Sequence, residues 1–139
     1  MAALAIAGVL ILRHRAALNA WNSELLATIT DLRWVEDQLI PGMLAAHTAA
    51  EYTQAWTDGR PRLVAADQQL FALAGRTSDW TKSASLSRLR TAIAGLTRAV
   101  DVEASSASTD PEALRAARAD VEGARSEFTT ALNQTAEAA

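Results

Sequence analysis

Cysteine is absent from the 139 residues. That excludes disulfides, thiolate nucleophiles and zinc sites built on cysteine, and it is compatible with any redox compartment. Lysine is nearly absent. Lys82 is the only one among thirteen basic residues, and the arginine bias reads as the coding composition of a high-GC bacterium. Three prolines and six glycines leave few helix breakers, so each one carries weight. Aromatics make up 5%, and strand formers are sparse beside abundant alanine, the best helix former. The composition predicts an all-α chain. A net charge of −3 lacks the basic surplus of a nucleic-acid binder, so no nucleic-acid partner is expected. The length fits one domain with a real core.

The longest purely apolar run is at the front: MAALAIAGVLIL, followed at once by Arg13, His14 and Arg15. At helical pitch Leu4, Ile6, Val9, Leu10, Ile11 and Leu12 cover the whole circumference. A helix apolar all round is buried or in lipid. Twelve residues span roughly 18 Å, short of the ~30 Å hydrocarbon core. No basic n-region precedes the run and no small-residue cleavage site clearly follows, which argues against a secretory signal peptide. Three readings stand. The run is the C-terminal part of a transmembrane helix that begins upstream, a tail or interfacial segment covered by a partner, or the buried first turns of a long soluble helix. On the first reading Arg13 and Arg15 are membrane-proximal, and the positive-inside rule places the remainder in the cytoplasm.

From Leu18 a seam steps by three and four residues through Trp21, Leu25, Thr28, Leu32, Val35 and Leu39. "IPGM" predicts its end at Pro41. A second stretch, about 43–74, carries Ala45, Ala49, Tyr52, Trp56, Leu63, Ala66, Leu70 and Leu73, interrupted by "TDGRPR", the strongest local turn signal. Gly75 suits the end of that helix, and Thr77 or Ser78 suits the cap of the next. The third seam is Leu86, Leu89, Ile93, Leu96, Val100. The fourth, after a break at Ser108, is Leu114, Ala117, Val121, Ala124, Phe128, Ala131. Its cap is Thr109 in a capping box with Glu112, or Asp110 before Pro111. Breaks at Pro41, Gly75 and Ser108 give four segments of similar length. The expected fold is an up-down-up-down four-helix bundle over 15–139, with 1–14 as an N-terminal apolar helical extension. In the alternative, Pro41 only kinks a longer first helix and the true turn lies at Asp58.

No catalytic constellation is present. There is no paired-carboxylate site, nucleophile elbow or glycine-rich phosphate loop. His47 and Glu51 share a helix face, but the Glu-x-x-His pairs of a di-metal bundle are missing. Neither a metal nor another cofactor is expected, and the chain is read as no enzyme. Trp34, Tyr52 and Trp56 are the candidate ligand- or partner-binding residues. Trp21 and Trp80, placed at one end by the topology, are candidates for a membrane-proximal aromatic belt beside Arg13 and Arg15. The architecture loosely resembles the helical-bundle sensor modules of bacterial membrane receptors. That resemblance implies an extracytoplasmic ligand-binding sensory domain as the alternative. The leading expectation is a non-catalytic, membrane-associated bundle, tethered through residues 1–12, that binds a protein partner or forms a homo-oligomer.

Overall fold

Apolar residues at three- and four-residue steps fold the chain into four long helices, with no strand among the described residues. The computed structural model describes residues 2–106 and 111–138. Helix α1 is one rod, Ala2–Leu44. It is α-helical over Ala2–Trp34, π-helical over Val35–Leu39, and α-helical again over Ile40–Leu44. Helices α2 (Ala49–Arg76), α3 (Trp80–Ser106) and α4 (Pro111–Ala138) follow.

Residue pairs give the directions. Leu39 packs on Gly59, Asp31 pairs with Arg62 at 2.9 Å, and Trp21 donates its indole N–H to the Leu73 carbonyl at 2.9 Å. Numbers rise along α1 as they fall along α2, so the two are antiparallel. Tyr52 with Glu103 and Asp67 with Arg90 say the same of α2 and α3. Helices α3 and α4 share the most extensive contact, and Glu103 with Arg118 marks one end of it. Between the helices Leu32, Leu63, Leu70, Leu86, Leu89 and Phe128 are fully buried. Each such side chain contributes about 1.5–3 kcal/mol on leaving water. The buried hydroxyls of Thr28 and Thr135 donate to the carbonyls one turn back, Glu24 and Ala131. No buried side-chain polar atom lacks a partner among the described residues.

Two proline signals do not end helices. Pro41 lies inside α1. It has no N–H for the Asp37 carbonyl, and the helix widens just before it: the Ile40 N–H bonds the Val35 carbonyl five residues back. The first connection falls at 45–48 instead, with Ala45 and Ala49 exposed rather than on a seam. The "TDGRPR" stretch is also helical, with Pro61 inside α2 and Gly59 buried. An added Cβ on Gly59 would meet the Leu39 methyls at 2.5 and 2.6 Å, so glycine serves there for close helix approach and not for a turn. The true turn is therefore neither at Pro41 nor at Asp58. Helix α2 runs through Gly75 to Arg76, and the cap of α3 is Asp79, whose carboxylate accepts the Thr81 N–H at 2.9 Å. The expected break at Ser108 and the Thr109 and Asp110 caps lie outside the described residues. Leu18 is exposed, so the α1 seam enters the core at Trp21.

Candidate functional site

The two ends of the bundle differ in chemistry. At one end α1 leaves the other helices. Every residue from 2 to 20 is exposed, and burial begins at Trp21. Nineteen residues at 1.5 Å each put about 28 Å of helix clear of the bundle. By length and composition α1 is apolar enough to cross a membrane, and none of its most apolar stretch is buried. This overturns the reading of the front as buried first turns: nothing among the described residues covers it. Arg13 and Arg15 stand on this free part, exposed. Trp80 opens α3 at the same end and is 78% exposed. Trp21 is not available to an interface. It is 5% exposed, its N–H is spent on Leu73, and the Lys82 ammonium sits 5.0 Å over its ring.

The opposite end holds a cleft of about 520 Å³ where α1 stops, α2 starts, α3 ends and α4 begins. Met43, Leu44 and Leu114 supply apolar walls, and Tyr52, Glu103 and Arg118 supply polarity. Glu103 is 8% exposed. Its Oε2 accepts the Tyr52 hydroxyl at 2.5 Å, and its Oε1 lies 3.4 Å from Arg118 Nε. A charge-assisted bond of this kind is among the stronger ones a side chain makes. Burial raises the Tyr52 pKa above its ordinary value, and the bond to Glu103 and that carboxylate's charge raise it further; Arg118 partly offsets this. Tyr52 therefore keeps its proton and acts as a donor, not as a phenolate nucleophile. Arg118 is mostly exposed, and Nε is only one of its five N–H donors.

Of the three candidate binding residues, only Tyr52 lines this cleft. Trp56 is buried, and its indole N–H donates to Asp101 Oδ1 at 2.7 Å, which also receives Arg60, so it pins α2 to α3. Trp34 is half-buried on α1 beneath the Arg62 guanidinium, 4.3 Å from its ring centroid. The three do not form one pocket. His47 and Glu51 do not meet through the imidazole: Glu51 accepts the His47 backbone N–H at 2.9 Å, while its own N–H donates to the Thr48 hydroxyl, capping α2. No group of three or more metal-ligating side chains comes together among the described residues.

Sequence reasoning missed Glu103, Asp101 and Arg118. A signal for Glu103 was present. The stepping Ile93, Leu96, Val100 continues by three to Glu103, so the α3 seam ends on a carboxylate, and Tyr52 on the facing seam supplies its partner. No family model matches the chain, and no similar curated protein or solved structure is found.

Proposed function

We propose that this chain is a non-catalytic, membrane-tethered helical-bundle module that binds a protein partner or a second copy of itself. The observation that carries the reading is the free α1 extension, whose uncharged apolar run over residues 2–12 is exposed throughout and is followed by Arg13, His14 and Arg15. Six aliphatic side chains between Leu4 and Leu12 are each at least half exposed. Covering them stabilises the covered state by roughly 5–10 kcal/mol, so water is a poor environment for this segment. The bundle itself completes its core without the extension, as a module carried on a tether would. Arg13 and Arg15 favour a cytoplasmic bundle. Deletion of residues 1–12 is expected to move the protein from the membrane to the soluble fraction with its fold intact. Retention of the shortened protein in the membrane fraction would refute the tether.

The second reading, an extracytoplasmic ligand-binding sensory domain, is favoured by the distal cleft with Tyr52, Glu103 and Arg118. It predicts a small molecule that raises the unfolding midpoint and perturbs tryptophan fluorescence through Trp56, one turn from Tyr52. The Glu103→Gln variant should lose that response. A broad ligand screen without any shift decides against it.

A further inference from the structure

We propose that the end face of the bundle beside α1 is itself a contact surface for an anionic lipid headgroup layer, with the Trp80 ring as its interfacial anchor. The inference rests on the membrane-tethered reading and adds to it. The bundle lies against the surface instead of swinging free on its tether.

Three observations converge on that face. Trp80 belongs to the first turn of α3 and is 78% exposed. Indole prefers the headgroup level, where its ring meets hydrocarbon and its N–H meets water. Lys82 of the same turn lies over the Trp21 ring, so this turn is level with the first buried residue of α1. Arg15 is six residues further out, about 9 Å along the axis. The basic cluster and Trp80 thus occupy one shallow layer at the base of the extension.

Charge complementarity selects an anionic surface. The first acidic residue of the chain is Glu24, so its first 23 residues carry Arg13 and Arg15 and no carboxylate, in a protein of net charge −3. Glu24 pairs with Arg76, Lys82 in the first turn of α3 offsets Asp79, and Glu137 is exposed on α4, so the positive surplus of this layer comes from Arg13 and Arg15. Each basic residue close to an anionic bilayer strengthens binding about fivefold.

The absence of cysteine permits single nitroxide labels. One is placed by Ser78→Cys, beside Trp80, and a control by Ala50→Cys, in the first turn of α2 at the opposite end; both positions are exposed. The full chain is added to vesicles of phosphatidylcholine with or without phosphatidylglycerol. With the anionic lipid, the label at 78 should collide several-fold less often with a water-soluble nickel chelate, and the label at 50 should not change. Adding Trp80→Ser should restore the collision rate at 78 while the protein still sediments with vesicles. If the bound chain leaves position 78 as accessible as position 50, the end-face contact is overturned and the tether stands. If the chain does not sediment with vesicles, both fall. Protection at 78 that grows with protein concentration without lipid assigns the face to a second copy and overturns the inference.

Discussion

Tyr52 is the only tyrosine of the chain, so its titration can be followed without interference. Folding raises the phenol's pKa, first through burial and then through the Glu103 carboxylate. The sign follows from linkage: a group whose pKa is raised by folding gives stability that is complete below its unfolded pKa, about 10, and is lost as pH climbs above it. Tyrosinate absorbance should stay flat through pH 10 in the folded protein and rise only as the bundle unfolds at higher pH. A titration with an ordinary midpoint would show that Tyr52 is neither buried nor bonded to Glu103 in solution. Tyr52→Phe leaves the buried Glu103 with one long contact, to Arg118, and should cost about 1–3 kcal/mol in denaturant unfolding. Glycines make a second test at this scale. At Gly59 a Cβ forces the buried Leu39 side chain to move, and overpacking of about 1–3 kcal/mol outweighs a helix-propensity gain of at most about 1 kcal/mol. At Gly95 nothing lies within 4 Å of the added Cβ, so only the gain remains. Gly59→Ala should therefore lower the urea midpoint and Gly95→Ala should raise it. Leu39→Ala should cost less in the Gly59→Ala background than alone.

Helix α2 is the element in which local and tertiary preferences conflict. "TDGRPR" carries turn chemistry, yet it sits in mid-helix because its neighbours hold it there: Leu39 on Gly59, Asp101 on Arg60, and Asp31 with the Trp34 ring on Arg62. Pro61 is exposed and cannot donate to the Thr57 carbonyl, so its backbone penalty is offset by little burial. Pro61→Ala should stabilise the bundle by about 1–3 kcal/mol in equilibrium unfolding. No gain would mean that the helix is already distorted at this turn. The same conflict explains what was legible in the sequence. The seams of α1 from Trp21, of α3 and of α4 could be read because burial follows period 3.6 wherever packing and propensity agree. Pro41 and Gly59–Pro61 misled because a π turn just before Pro41 absorbs the first, and the close approach of the distant Leu39 to Gly59 helps hold the second in a helix. The cleft was half legible. Tyr52 was marked by its seam, but Glu103 was hidden in a stretch that looked like a fading helix, and the Trp34–Tyr52–Trp56 grouping dissolved because each ring takes its own partner.

On the scale of the whole molecule, stability and placement are written in different parts of the chain. Every residue in the core lies at or after Trp21, and residues 2–20 touch solvent throughout. Removing residues 1–12 should therefore change the unfolding free energy by less than about 0.5 kcal/mol, the usual range for surface changes. The free part of α1 is in a different regime. A helix of nineteen residues without tertiary packing is marginal in water, even when rich in alanine and leucine, because nucleation is costly and no core repays it. Anchored to the bundle at Trp21 it needs no new nucleus, but its outer turns fray unless something covers them. The far-UV helix signal lost on deleting residues 1–12 should consequently be small in water and larger with anionic vesicles, where lipid covers the apolar circumference. Equal losses in both media would mean that the extension is already covered in water, and concentration-dependent sedimentation of the full chain would then identify a second copy as the cover.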